Sequence, residues 1–218
     1  MISLYIVRHG ETMHNLENRV QGHTDSPLTD LGKRQVSAIA DKLASEKFTT
    51  IYSSDLGRAR TTAEVIASRH NLPVHTTSLL REACLGVIQG LTQAEFAEKY
   101  PEEYRKWKEN SAENRPPGAE KLEEVIERCR QFLTEITEKH QNGEKLLAAV
   151  HGGSVRGLIC AAFNLPPTFY RNIHTANASL SILDIGNRPA LRLLNDTCHL
   201  QGLKITEEDS DNLPIYRT

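Results

Sequence analysis

The sequence lacks a long apolar run, a metal-binding cysteine pattern and an excess of positive charge. No uninterrupted apolar stretch approaches the roughly 20 residues of a membrane-spanning helix, which argues against a membrane protein. The formal net charge of -2 provides no general positive field for nucleic acid or for an anionic membrane. Any affinity for an anionic ligand must therefore come from a local cluster of basic side chains.

Cysteine is scarce and widely spaced, with no CxxC pattern: Cys84, Cys129, Cys160 and Cys198. This distribution does not fit a zinc finger or a dense disulfide framework, and we interpret the four residues as reduced core thiols. Arg8 and His9 also interrupt the first apolar run too early for a secretory signal segment. These features together predict a cytoplasmic protein.

The sequence does contain short apolar runs that alternate with helical patterns. Its 218 residues are 39% hydrophobic, which is enough for a substantial core. Strands are predicted at 2–7, 51–52, 72–76 and 145–150, and two more, joined by a turn at 186–189, lie within 179–194. The alternation predicts an α/β fold, a three-layer α/β/α sandwich around a mostly parallel central sheet.

Helical spacing is clearest at residues 119–140, and Thr29 can cap an earlier helix. Residues 84–118 hold much of the aromatic content and two short helical patterns, "TQAE" and "PEEYRKWKE". We interpret this segment as a short helical insertion over the main sheet within a single domain spanning 1–218. Residues 201–218 are predicted to be an acidic C-terminal tail.

Polar residues follow three predicted strands at the point where each strand ends. They are "RHG" at 8–10, the segment 53–58 that ends in Arg58, and "HGG" at 151–153. The carboxyl ends of parallel strands meet at one edge of a sheet, where ligands collect. Arginine binds phosphate with a rigid fork, and glycine lets backbone N–H groups approach an oxyanion. The helix after Gly152 adds its positive end, so these segments predict a phosphoryl site.

Histidine and a carboxyl group supply the remaining chemistry for phosphoryl transfer. Neutral imidazole can attack phosphorus, and the leaving oxygen then needs an acid. Glu82 lies between a predicted strand and the aromatic insertion, where a partly desolvated carboxyl can stay protonated. A single His-Gly at a strand end is usually a turn, but two copies with arginines at matching places favour a site. His9, His151 and Glu82 could ligate zinc in principle, although the arginines would repel a cation.

Five ordered segments resemble the motifs of the histidine phosphatase, or phosphoglycerate mutase-like, superfamily over roughly residues 2 to 200. The segments are "IVRHGETMHN", "QGHTDSPLTDLGKRQ", "IYSSDLGRARTTAE", "LREACLG" with its following "QG", and "VHGGSVR". By position, the resemblance implies that His9 is phosphorylated and that Glu82 donates the proton. The residues implied to hold the phosphoryl group are Arg8, Arg58, His151 and Asn15.

Further residues near these motifs are candidates for ligand contacts. Gln21, Gly22 and Gly152 are predicted to contact the substrate or its phosphate. His23 is a candidate pocket residue, with an incidental loop histidine as the alternative. His199 either lies at the rim of the pocket, as a similar ending does in related small-molecule phosphatases, or forms the polar end of a closing strand. Asp25 is most simply interpreted as a turn residue.

Departures from the mutase pattern favour the phosphatase branch of this superfamily. Phosphoglycerate mutases usually follow the acid with Arg-His-Tyr, whereas this chain has Ala83, Cys84 and Leu85. Mutases also carry a longer insertion, which shields the phosphorylated intermediate from water. The segment "RPPGAEKLEEVIER" resembles the phosphatase pattern Pro-Gly-Gly-Glu-Ser, with alanine and lysine at two of its positions.

The resemblance therefore implies hydrolysis of a small-molecule phosphomonoester through a phosphohistidine, without a metal or an organic cofactor. Phosphoglycerate mutase-type transfer and a non-catalytic phospho-ligand-binding domain are the alternatives. The candidate substrates are phosphoserine, a sugar phosphate, α-ribazole phosphate and a phosphoglycerate derivative. No nucleic-acid or membrane partner is expected. A homodimer is compatible with the resemblance, because relatives are often dimers, but the sequence does not decide the oligomeric state.

Overall fold

A computed structural model describes residues 1–203, which contain a six-stranded sheet. The strands are β1 (Ile2–Arg8), β2 (Thr50–Ser54), β3 (Val74–Thr77), β4 (Lys145–Val150), β5 (Leu180–Ile185) and β6 (Ala190–Asp196). Their order across the sheet is β3-β2-β4-β1-β5-β6. Strands β3, β2, β4 and β1 are parallel, whereas β5 is antiparallel to both of its neighbours. The predicted mostly parallel sheet is confirmed.

Helices cover both faces of the sheet. They are α1 (Met13–Leu16), α2 (Asp30–Leu43), α3 (Gly57–Ala67), α4 (Gln93–Lys99), α5 (Pro101–Glu109), α6 (Leu122–Lys139) and α7 (Gly152–Phe163). One buried cluster joins α6 and α7 to the sheet, and a second cluster joins α2 and α3 to the opposite face. This arrangement confirms the predicted three-layer sandwich. No described helix in residues 1–203 is long and apolar enough to cross a membrane.

Apart from Ser3, strand β1 is apolar up to Val7 because it lies near the centre of the sheet and is covered on both faces. Leu4 and Ile6 belong to the cluster with α6 and α7, whereas Tyr5 and Val7 belong to the cluster with α2 and α3. A strand buried on both faces reads as a continuous apolar run instead of alternating. Arg8 pairs with Val150 of β4, so the next residue of each strand lies at the same level of the sheet edge.

The aromatic insertion forms a small core of its own beside the sheet edge. Phe96 and Trp107 from α4 and α5 pack with Val20, Leu85 and Ile88. The Thr92–Glu95 capping box predicted from the sequence begins α4. Trp107 is 2% exposed and belongs to this core.

The expectation that all four cysteines are core thiols needs adjustment. Cys129 and Cys160 are buried thiols as predicted, but Cys84 is only half-buried and Cys198 is exposed, so these two are not core thiols. Cys198 lies beside the polar end of β6, which leaves its side chain in solvent. Apart from residues 201–203, the predicted tail lies outside the described residues.

Candidate active site

The carboxyl ends of β1, β2 and β4 bring the three predicted polar segments together. His9 follows β1 and His151 follows β4, and their ring centroids are 5.2 Å apart at an interplanar angle of 61°. The side chains are buried, with His9 2% exposed and His151 fully covered. The parallel register of β1 and β4 therefore sets the two imidazoles side by side at the sheet edge.

Hydrogen bonds fix both the main chain and the ring of His9. Its Nδ1 lies 2.8 Å from the Gly10 carbonyl oxygen, so Nδ1–H donates and Nε2 keeps its lone pair. Its backbone N–H donates to Val150, and its carbonyl oxygen accepts from the Ala178 N–H and the Asn177 side-chain amide. This tautomer leaves Nε2 free to act as a nucleophile.

Burial and neighbouring arginines keep both imidazoles uncharged. Desolvation holds the pKa of His9 well below its usual value, and the positive charges of Arg58 and Arg8 lower it further. Desolvation likewise holds the pKa of His151 well below its usual value, with Arg58 the next largest cause. Neither ring nitrogen of His151 has a hydrogen-bond partner within residues 1–203. A buried polar group of this kind is costly unless a ligand completes it.

Arg8 and Arg58 place two guanidinium groups around the histidines. Arg8 is 8% exposed and donates to the Thr175 carbonyl. Arg58, at the start of α3, is 2% exposed and donates to the carbonyl oxygens of Gly22 and Thr24 at 2.7 and 3.0 Å. Its Nε has no partner among the described residues, and burial lowers the pKa of Arg58. Two desolvated cations at one site favour an anionic ligand.

Asp25 orients Arg58 and caps α3, a role that the sequence analysis missed. One carboxylate oxygen accepts from the Gly57 N–H at 2.7 Å. The other accepts from Arg58 Nη1 at 3.2 Å and from the Arg58 backbone N–H at 3.3 Å. Asp25 is therefore an ion-pair partner and helix cap instead of a simple turn residue. No local pattern links Asp25 to a helix that begins so far along the chain.

Glu82 lines the same pocket as Arg8 and Arg58. Its Oε1 accepts from the Ala83 N–H at 2.7 Å, and its Oε2 accepts from the Gly153 N–H at 3.1 Å. A Cβ at position 153 would overlap both Glu82 Oε1 and the Tyr170 hydroxyl, so the carboxylate can sit there only because residue 153 is glycine. The carboxylate is thus held in one orientation over the start of α7.

Most of these residues line one pocket, whereas His151 and Asp25 are not among its lining residues. The predicted site residues that line it are Arg8, His9, Asn15, Gln21, Gly22, Arg58 and Glu82. The Gln21 side-chain oxygen is buried and has no partner within residues 1–203. Ala83, Leu85, Gly153 and Arg19 complete the lining.

Gly152 and Asn15 support the pocket in different ways. Gly152 is not among the pocket-lining residues, and a Cβ there would be 3.6 Å from Arg8 Nε. Asn15 belongs to the capping box of α1, and its side-chain oxygen accepts from the Thr12 backbone N–H. Arg19 was not identified from the sequence, because it is anchored by Glu95 of the distant α4 and by the Gly90 carbonyl.

His23 and His199 are not among the residues that line this pocket. His23 Nε2 lies 2.9 Å from the Glu82 carbonyl oxygen, so the ring turns toward the acid-bearing segment. His199 Nε2 lies 3.0 Å from the Ala178 carbonyl oxygen, and Leu200 beside it packs into the cluster with α2 and α3. Within residues 1–203, no group of three or more His, Cys, Asp or Glu side chains is arranged to hold a metal ion.

The neutral buried histidines predict that stability falls as pH decreases below about 6.5. Their pKa values are lowered in the folded protein, so below about pH 6.5 the unfolded chain binds more protons than the folded chain does. The free energy of unfolding therefore decreases as the pH falls through this range. One such histidine contributes up to about 1.4 kcal/mol per pH unit. The test is the free energy of unfolding of the wild type and of His151→Asn, measured by urea unfolding between about pH 7.5 and 5.5. The variant should lose less stability than the wild type, and equal losses would contradict a neutral buried His151.

The chain is similar to a known protein family and to several known proteins over most of its length. A family model described as histidine phosphatase superfamily (branch 1) matches residues 4–197. Phosphoglycerate mutase-like protein 4 from Arabidopsis thaliana is 36% identical over 203 residues, covering 91% of this chain and 86% of that protein. Phosphoserine phosphatase 1 from Hydrogenobacter thermophilus is 34% identical over 201 residues, covering 92% and 95%.

A solved structure shows the same architecture. The mycobacterial glucosyl-3-phosphoglycerate phosphatase, in complex with VO3, has a TM-score of 0.81 at 30% sequence identity. The similarity covers 89% of this chain and 99% of that chain. Proteins named as phosphatases and as mutase-like are thus 30–36% identical to this chain over most of its length. The protein belongs to the histidine phosphatase superfamily.

Proposed function

We propose that the protein hydrolyses a small-molecule phosphomonoester through a phosphohistidine on His9. The observation that carries this proposal is the state of His9 in the pocket. Its Nδ1–H is donated to Gly10 and its pKa is held low, so Nε2 is an unprotonated nucleophile at neutral pH. Buried arginines and a carboxyl group in the same pocket supply the electrostatic and proton-transfer roles.

In the first step, His9 Nε2 attacks phosphorus and forms the P–N bond while the P–O bond to the leaving group breaks. Glu82, in its protonated form, gives its proton to the departing oxygen. Arg8, Arg58 and His151 stabilise the charge on the phosphoryl oxygens. Support for this assignment comes from the Arg58 Nε and the His151 nitrogens, which have no partner in the described part of the chain.

In the second step, water attacks the phosphohistidine and the P–N bond breaks. Glu82, now a carboxylate, accepts a proton from the water, and the electron pair returns to His9 Nε2. Phosphate leaves, and both side chains regain their starting states. The cycle needs no change in the charge of His151, whose pKa is held low by burial.

The leaving group is proposed to be a small organic alcohol. Ala83 and Leu85 give the pocket an apolar wall, while Arg19 and Gln21 give it a polar one. Two relatives are named for phosphoserine and glucosyl-3-phosphoglycerate, which are both small phosphomonoesters. These features support a metabolite substrate without selecting one.

The test is phosphate release from a panel of phosphomonoesters in EDTA. The panel contains phosphoserine, sugar phosphates, α-ribazole phosphate and 3-phosphoglycerate. We expect release from at least one member without added metal. A need for added metal would overturn the mechanism. Transfer of labelled phosphate to a phosphoglycerate with little release would favour a mutase. Tight binding of phospho-ligands with no release across the panel would favour a binding domain.

A further inference from the structure

His23 contacts the main chain of the proposed acid. Its Nε2 lies 2.9 Å from the Glu82 carbonyl oxygen, so Nε2–H donates to that oxygen. Imidazole donates from this nitrogen whether it is neutral in that tautomer or protonated, so the bond does not depend on the charge of His23. The side chain is not among the pocket-lining residues, and its Nε2 is already bonded to a backbone carbonyl, so His23 acts on the acid-bearing segment instead of on the substrate.

The residues on both sides of His23 hold the phosphate-binding arginine. The Gly22 carbonyl accepts from Arg58 Nη2 at 2.7 Å, and the Thr24 carbonyl accepts from Arg58 Nη1 at 3.0 Å. Gly22 has a φ of 55°, in the left-handed region, which turns the chain between these contacts. Of these three consecutive residues, the first and third bind Arg58, and His23 between them binds the Glu82 carbonyl.

Gln89 fixes the loop from the other side. Its side-chain oxygen accepts from the His23 backbone N–H at 2.6 Å and from the Leu85 N–H at 3.4 Å. A Cβ on Gly22 would overlap the Gln89 side chain, so the loop packs closely against the segment that follows Glu82. The imidazole and the amide thus connect the same two segments at two points.

We propose that His23 is a positioning residue that links phosphoryl binding by Arg58 to the placement of Glu82. The carboxylate of Glu82 is held by the N–H groups of Ala83 and Gly153. The Ala83 N–H belongs to the same peptide group as the Glu82 carbonyl that His23 binds. Loss of the His23 hydrogen bond would therefore free this peptide group and let the Glu82 carboxyl group move away from the leaving oxygen. A displacement of about 1 Å can cost as much as 100-fold in rate. This inference rests on the proposed role of Glu82 as the acid.

The test compares two substrates in His23→Phe and His23→Gln. An alkyl phosphate has a poor leaving group that needs the acid, whereas p-nitrophenyl phosphate has a good one that needs it little. We expect His23→Phe to lower the ratio of kcat/KM for alkyl to aryl substrate about 10-fold or more, because kcat/KM reports the first step, in which only the alkyl leaving group needs the acid. KM for the alkyl substrate should change less than its kcat. His23→Gln keeps an N–H donor at a similar reach and should restore most of the ratio.

His75→Phe is the matched control, because His75 is exposed on the edge strand β3. Its substrate ratio should equal that of the wild type. An unchanged ratio in His23→Phe, in a protein that melts like the wild type, would overturn the positioning role. An equal loss on both substrates, not restored in His23→Gln, would show a general structural role instead. A wild type that hydrolyses neither substrate would overturn the proposed function itself, which keeps the two failures distinct.

Discussion

His9→Ala is expected to lower kcat/KM for a phosphomonoester by about 10⁴-fold or more, because the substitution removes the atom that forms the covalent intermediate. The remaining arginines and His151 can still bind the phosphoryl group, so the loss should fall on kcat more than on KM. Phosphate release with wild type and variant in EDTA measures the effect. His75→Ala, on the exposed edge strand, is the control for loss of an imidazole elsewhere.

A second measurement on the same variant separates nucleophilic from purely structural loss. Wild type quenched in alkali during turnover of a labelled substrate should retain label on the protein, because phosphohistidine survives base and hydrolyses in acid. His9→Ala should retain none, while its circular dichroism matches that of the wild type. Activity that survives loss of His9, or label that remains on the variant, would contradict the phosphohistidine mechanism.

The buried cations favour an anionic ligand at this site, such as the phosphoryl group of the proposed substrate. Arg58 is nearly covered, and its only directly paired carboxylate is Asp25 among the contacts of the described chain. Burying a charge is unfavourable unless other groups compensate it. The N-terminal end of α7, which begins at Gly152, adds partial positive charge to the same sheet edge. A phosphoryl dianion would offset all of these contributions at once.

The parts of the fold that the sequence predicted depend on local patterns. The apolar run of β1 and the helical stripe of α6 record burial at fixed spacing, and the Thr29 and Thr92 caps depend on neighbours three residues away. Because both His-Gly pairs end buried parallel strands, topology alone was enough to predict that they meet. The structure bears this out in the ring contact between His9 and His151.

The parts that the sequence did not predict depend on loops that meet from distant positions. Asp25 caps α3, Arg19 pairs with Glu95, and His23 holds the Glu82 carbonyl. Each contact joins a residue of the polar loop after α1 to a segment more than 30 positions away, and no periodicity marks it. Residue type suggested a ligand for His23, but the fold directs its ring to a backbone carbonyl instead. Loop contacts therefore decide which polar residues face the pocket.

Glu82→Gln is expected to lower kcat for an alkyl phosphate by about 10²- to 10⁴-fold, because the amide cannot give a proton to the leaving oxygen. With p-nitrophenyl phosphate the first step needs little acid, so the nitrophenolate should appear rapidly. The second step still needs a base for water, so the phosphorylated enzyme should accumulate. Stopped-flow absorbance should therefore show a burst close to one equivalent of product per enzyme, followed by slow turnover.

Glu64→Gln, on the exposed surface of α3, removes a carboxylate outside the pocket and should show neither the loss nor the burst. Equal losses on both substrates without a burst would mean that Glu82 acts by orienting the pocket instead of by moving a proton. The burst is the decisive result, because a Glu82 that served only to bind substrate would slow the first step and leave no intermediate to accumulate. The burst amplitude would also give the fraction of enzyme molecules in which His9 is phosphorylated. One experiment would therefore test both the acid role of Glu82 and the nucleophilic role of His9.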